Sequence, residues 1–251
     1  MQFIEVLAAI GKGAKFLGCT IGRQFKKVNP DVYRELAFVS MSSYSLVLPK
    51  REKVVDRGSD GFLPVVLVHG LGGNRGAWWP LRLFLRLQGH RRLYAFGYED
   101  GTVEELAQRL KSFVEEVRQV TGVAQVDIVA HSLGGLIVRY AIQRLDMAHS
   151  VRTFVSMATP HLGTYAAQYA NTPLTLAIRP DSRILCDLNR DDMKNYPIRF
   201  VTIFSNRDVY IVPNEMMMHP HAENIFVPNV SHSQHLVSPP VFRKVAQCLQ
   251  D

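Results

Sequence analysis

Cysteine is scarce in this chain. Cys19, Cys186 and Cys248 are its only three among 251 residues. They are too few and too scattered for a disulfide framework or a thiolate metal site, so three unpaired thiols are expected. No Cys/His group has zinc spacing, and no glycine-rich loop of the Walker or Rossmann type is present. Internal repeats and low-complexity tracts are also missing. Residues 2–22 make a poor spanning helix, because charge and Gly11, Gly13, Gly18 and Gly22 interrupt them. They lack an early basic region, which argues against a cleavable signal peptide. Phe16-Leu-Gly-Cys19 has a faint lipobox outline, but Lys12 and Lys15 stand where such a signal is apolar.

What is present is ordinary for a soluble globular chain, with 47% hydrophobic and 20% charged residues. The length suffices for one large α/β domain with a full core. The net charge of +7 is uneven: residues 1–58 hold ten basic and five acidic side chains, so +5 of it lies ahead of the first core strand. Such a segment suits an anionic membrane surface or nucleic acid. Nothing else resembles a nucleic-acid module, which leaves the membrane or a plain solvated basic face. On a helix, Phe3, Val6, Leu7, Ile10, Ala14, Leu17 and Ile21 fall on one stripe. This predicts an amphipathic helix that lies at a membrane interface or docks on the domain or a partner. Membrane-peripheral or cytoplasmic placement follows as the expectation.

From residue 62 strand-like and helix-like stretches alternate. The strands predicted are Pro64–Val68, Leu93–Tyr98, Val126–Ala130, Val151–Met157, Phe200–Phe204 and Asn224–Val227. Helical patterns cover Gly76–Leu87, Thr102–Thr121, the stretch after Ser132, and Val241–Leu249. Thr102-Val-Glu-Glu105 is a capping box, and Gly122 stops that helix. Alternation of this kind predicts an α/β fold, a mostly parallel sheet covered on both faces. The domain is placed at residues 62–251, after a basic extension over 1–61.

Reactive groups gather at the carboxyl ends of strands in such sheets. Ala130-His-Ser-Leu-Gly-Gly135 sits between a predicted strand and a predicted helix, the setting of a nucleophile elbow. There a sharp turn lifts the Ser132 hydroxyl off the sheet, and the first helical N–H groups face developing negative charge. After the first strand, His69-Gly-Leu-Gly-Gly73 is a flexible turn able to aim the Leu71 N–H at the same place, with the Leu133 N–H as second donor. The alternative is a tight strand-to-helix turn and nothing more. His69 is read as an orienting residue of this turn. Asp208 follows the fifth strand, and His232 and His235 both follow the last. The order Ser, Asp, His is that of a triad on this kind of sheet, with the histidine as base and Asp208 holding its tautomer. Asp187, Asp191 and Asp192 follow no convincing strand.

Five blocks of this chain resemble those of α/β-hydrolases, and within them the bacterial triacylglycerol lipases and esterases. They are Val68-His-Gly-Leu-Gly-Gly73, Ala130-His-Ser-Leu-Gly-Gly135, Ala158-Thr-Pro-His-Leu-Gly-Thr164, Asp208-Val-Tyr-Ile-Val-Pro213 and Val230-Ser-His-Ser-Gln-His-Leu-Val237. The likeness covers about residues 62–249, while residues 1–61 match nothing. Ala130 stands where most relatives have glycine. The resemblance places His232 on the family's histidine. It implies an α/β-hydrolase fold with a small lid insertion, here residues 161–196, whose apolar run from Tyr165 to Ile178 suits an acyl pocket; a core-packing insertion that gates nothing is the alternative. Met216, Met217 and Met218 are read as packing, with an adaptable pocket wall as the alternative. The implied activity is serine ester hydrolysis of lipids or other hydrophobic esters, with no metal or organic cofactor. A phospholipase or acyltransferase would use the same residues, and a non-catalytic docking module on this fold is the reading from another class.

Overall fold

The computed structural model describes residues 52–250. The expectations for the 2–22 stripe, the lipobox outline and Cys19 lie outside them. Six strands form one sheet: β1 (Val65–Val68), β2 (Leu93–Phe96), β3 (Val126–His131), β4 (Val151–Met157), β5 (Arg199–Phe204) and β6 (Glu223–Phe226). Their order is β2-β1-β3-β4-β5-β6, and every pairing is parallel, where a mostly parallel sheet was expected. Every residue of β1, β2 and β3 is buried, which is why β1 and β2 read as continuous apolar runs rather than as an alternation, while the buried Asp127 of β3 pairs with Arg152 at 2.7 Å.

The helices are α1 (Trp79–Leu87), α2 (Val103–Thr121), α3 (Leu133–Arg144), α4 (Pro173–Ala177), α5 (Arg183–Arg190) and α6 (Pro239–Gln250). Leu81 and Leu85 of α1 share a core with Val241, Phe242, Val245 and Leu249 of α6 on one face of the sheet. Leu106, Leu110, Phe113 and Val117 of α2 join Ile137 and Ala141 of α3 in the other core. Both faces are therefore covered. The chain moves outward from β1 to β2, then returns past β1 to β3. This reversal of strand order opens a crevice at the carboxyl ends of β1 and β3, where such sheets bind ligands.

Local chemistry explains the element ends. The Thr102 hydroxyl accepts from Glu105 N at 3.3 Å, and the Glu105 carboxylate accepts from Thr102 N at 3.0 Å, completing the expected box. Gly122 closes α2 at φ 67. The first helix differs from expectation: a 3₁₀ turn, Arg75–Trp78, precedes α1. The Asn74 side chain accepts from Gly76 N at 2.8 Å and starts that turn. Pro80 then suits the first turn of α1, where its missing N–H leaves nothing unsatisfied.

Residues 52–61, assigned by sequence to the extension, run beside the sheet. The Glu52 carboxylate accepts from Ala95 N of β2 at 2.7 Å and pairs with Arg82 at 2.9 Å and Arg57 at 3.1 Å. The Tyr94 hydroxyl donates to Val55 O at 2.8 Å, and Val54 is buried in the core. Segment 161–196 holds α4, α5 and the 3₁₀ turns Tyr165–Tyr169 and Met193–Asn195. Arg139 of α3, fully buried, donates to His161 O, Leu188 O and the Asn189 and Gln143 side-chain oxygens. Its guanidinium thus joins α3 to both ends of that segment's first 30 residues. Cys186 is exposed and Cys248 is buried, and neither is in a disulfide among the described residues. Among the described residues, no helix is long and apolar enough to cross a membrane.

Candidate active site

Ser132 is the single residue between β3 and α3, with φ 54 and ψ −128. A side-chain-bearing residue adopts such a conformation only when its surroundings over-determine it. Here Ser132 N donates to Met157 O at 2.9 Å, and Ser132 O accepts from Gly135 N and the Thr159 hydroxyl, both at 3.0 Å. The two glycines that follow are sterically required. A Cβ on Gly134 would meet the Val68 and His69 carbonyl oxygens at 2.5 Å, and one on Gly135 would meet the Thr159 hydroxyl at 2.1 Å. The elbow packs this closely because those side chains are absent.

The glycine turn after β1 closes with Gly73 N donating to Gly70 O at 3.1 Å. Gly72 occupies its third position at φ 67, a left-handed value that glycine adopts without strain. Leu71 is about half exposed at the rim, and Leu133 opens α3, so its N–H belongs to the first turn, whose amides lack helical partners. His69 donates from Nδ1 to Gly70 O at 2.9 Å and stacks on Tyr98 at 4.1 Å. Burial sets its pKa down to about 4, helped by the Arg75 charge against the lift from its Gly70 bond. It is a neutral ring that fixes the turn.

Asp208 lies beyond β5. Its Oδ1 accepts from Tyr210 N and Ile211 N, both at 2.8 Å, and its Oδ2 is 2.6 Å from His232 Nδ1. Burial pushes this carboxyl up, but the facing His232, its hydrogen bond, the nearby His235 ring and the Ile211 amide together hold it below the usual carboxylate range. An ionised Asp208 only accepts, so Nδ1 of His232 carries the proton. In the neutral ring Nε2 is then free to accept, and it lies 3.0 Å from the Ser132 hydroxyl. Residues 100 and 24 positions apart in sequence thus form one hydrogen-bonded chain.

The two histidines left open by spacing are separated here. His235 is fully buried, and its Nδ1 donates to Ser231 O at 3.0 Å and His232 O at 3.2 Å. His232 is the one that faces Ser132. Asp187 and Asp191 pair with Arg144 at 2.7 and 2.9 Å, and Asp192 pairs with Lys194. Sequence reasoning missed Thr159 and His131. Both sit in segments that resemble the family, 130–135 and 158–164, yet a side chain's partner across the sheet leaves no trace in spacing.

Ser132 and His232 open onto a cavity of about 190 Å³. Gly70, Leu71 and Gly72 line one side, and Ala166, Ala167, Ala170 and Ile178 of the 161–196 segment line another. Thr164 pins that segment beside the acid loop, its hydroxyl donating to Tyr210 O at 2.8 Å and accepting from Val212 N at 3.1 Å. Met217 packs with Ala158 and Ile211, and none of the three consecutive methionines lines the cavity. Among the described residues, no group of three or more His, Cys, Asp or Glu side chains is arranged to hold a metal.

Comparison with known proteins extends this picture. A triacylglycerol lipase of Pseudarthrobacter phenanthrenivorans is 31% identical over 122 residues, covering 44% of this chain and 37% of the relative. One from Burkholderia plantarii is also 31% identical over 122 residues, covering 44% of this chain and 33% of its own length. The matches therefore span about a third of each curated relative. Among solved structures, Bacillus licheniformis lipase BlEst2 in its mature form has a TM-score of 0.68 at 18% identity, covering 78% of this chain and 96% of that one. This likeness establishes the fold, that of an α/β-hydrolase. The family model for lipase (class 2) matches residues 63–238. It runs from just before β1 to just beyond His235, taking in the glycine turn, the elbow and the acid and base loops, and the chain belongs to this class 2 lipase family.

Proposed function

We propose that the protein is a serine carboxylic-ester hydrolase acting on lipid or other hydrophobic esters. Ser132 is the nucleophile, His232 the general base and Asp208 the group that orients and stabilises the imidazole. The Leu71 and Leu133 amides receive the oxyanion. The observation that carries this reading is the position of His232, 2.6 Å from Asp208 and 3.0 Å from Ser132 at the wall of a largely apolar cavity.

In the first half-reaction the Ser132 oxygen bonds to the ester carbonyl carbon as its proton passes to His232 Nε2. The carbonyl oxygen becomes an anion facing the two amides, and preorganised donors of this kind are each worth about a hundredfold or more in rate. Collapse breaks the bond to the alkoxy group, which leaves as the alcohol with the proton from Nε2. Water then attacks the acyl-enzyme, its proton passing to Nε2. The acid departs as Ser132 recovers its proton. Ala166, Ala167, Ala170 and Ile178 suit a hydrocarbon chain, which is the support for a hydrophobic acyl group.

Hydrolysis of p-nitrophenyl esters from short to long acyl chains, by the wild type beside Ser132→Ala, tests this. Activity in the wild type and its loss in the variant are expected, and a long-chain optimum would favour lipid esters over small soluble ones. Equal activity in both proteins would sink the assignment, and no activity on any chain would move weight to a docking module. The reading extends to a membrane surface met by residues 2–22, supported by their apolar stripe and the basic excess around them. Sedimentation with anionic vesicles, lost when those residues are removed, is the expected outcome for that part.

A further inference from the structure

Two imidazoles converge on the main chain of His232. The His232 carbonyl oxygen lies 3.1 Å from His131 Nε2 and 3.2 Å from His235 Nδ1. A carbonyl only accepts, so both nitrogens carry protons. The single Nδ1 proton of His235 is shared with Ser231 O at 3.0 Å, whereas His131 gives its Nε2–H to His232 alone among the bonds described. The His131 ring also packs against the His232 ring, with centroids 4.7 Å apart.

His131 precedes Ser132 in the chain, and this adjacency gives the contact its consequence. Other bonds of the His232 loop run toward the residues after β5: Val230 N to the Ser205 hydroxyl at 2.9 Å, Asn229 N to the Asn206 side chain at 3.0 Å, and His232 Nδ1 to Asp208. They locate the base relative to the acid. The His131 bond locates it relative to the strand that leads into the nucleophile.

We propose that His131, supported by His235, is a positioning residue that sets the Ser132–His232 distance by holding the main chain of the base. The proposal rests on the reading of Ser132 and His232 given above. His131 acts in its neutral form, donating from one nitrogen: burial drives its pKa well down, and the facing His232 and His235 and nearby His69 push the same way. Its Nδ1 points toward the glycine turn, where a Cβ on Gly70 would stand 3.2 Å away. A glycine there leaves room for the ring.

The test compares His131→Gln, which keeps a donor at about the reach of Nε2, with His131→Met, which keeps bulk but donates nothing. Labelling of Ser132 by a fluorophosphonate reports activation of the nucleophile without knowledge of the substrate, and ester hydrolysis separates kcat from KM. We expect His131→Met to label about ten- to a hundredfold more slowly, since misplacement of a reacting group by about 1 Å costs that much. KM should stay within about twofold, as for a change that acts on the chemical step, and His131→Gln should recover most of the rate. A His131→Met protein that folds and labels at the wild-type rate would overturn the proposal. So would a folded His131→Gln protein that has lost the rate, a result that decides the matter even if His131→Met does not fold. A wild type that does not label would instead overturn the Ser132 reading itself, and this one with it.

Discussion

Asp208 shows how one residue's surroundings choose its state. Two amides and an imidazole N–H converge on a buried carboxyl and keep it ionised against the cost of burial. Asp208→Asn nearly preserves shape but removes the charge that holds the His232 tautomer. We expect kcat for ester hydrolysis to fall by about ten-thousandfold with the fold retained, as in the serine protease precedent. Steady-state kinetics beside a circular-dichroism spectrum would check this, and a loss smaller than about tenfold would refute the role. At this scale the sequence was legible where chemistry and position coincide. Ser132 sits between a strand and a helix, and Asp208 follows a strand. Spacing alone did not separate His232 from His235, because two imidazoles three residues apart carry the same chemistry. The resemblance pointed to His232, and the direction of each ring is what the tertiary structure adds.

Elements are held at their junctions. β3, Ser132 and α3 are so closely packed on the end of β1 that Gly134 has backbone oxygens 2.5 Å from where a Cβ would be. Gly134→Ala must displace main chain rather than a flexible side chain, and a loss of about 2–3 kcal/mol in unfolding free energy is expected. Urea unfolding measures it, and an unchanged midpoint with an unchanged slope would contradict the packing described. The long helices were readable from apolar period and caps, α2 being the clearest case. Segment 161–196 was readable only as an insertion. Its helices of five and eight residues are too short for a periodic signal, and the buried Arg139 that ties it to α3 stands in another part of the chain.

Across the whole molecule, buried neutral histidines tie stability to pH. Burial sets His69 and His235 down to about 4, for His235 against the opposing charge of Asp208. Unfolded, both would bind protons at about 6.5. Between those values the unfolded chain holds two protons that the folded chain does not, so falling pH favours unfolding. The stability is complete above about 6.5 and is lost as pH falls toward 4, with a slope of about 3 kcal/mol per pH unit mid-window. His131 and His161, both held well below their usual values by burial first and then by the facing His232 for the one and the Arg139 charge for the other, steepen it. Urea titrations at pH 7.5 and pH 5 should differ by several kcal/mol, and a flat profile would mean that these rings are protonated when folded. The sheet order itself was not readable, because parallel pairing is made across crossovers that leave no local mark.

The sequence by itself determined the class of fold, the six strands, the main helices and the kinds of residue that end at the sheet's carboxyl edge. Those features are local: apolar period, caps, turns and the residues beside them. The tertiary structure alone decided which strands are neighbours, how the His232 and His235 rings are directed, that residues 52–61 guard the edge of β2, that the Thr159 hydroxyl bonds the elbow and that His131 meets the His232 carbonyl. Each depends on contacts between side chains or main-chain groups far apart in the chain, whose geometry exists only after the sheet has assembled.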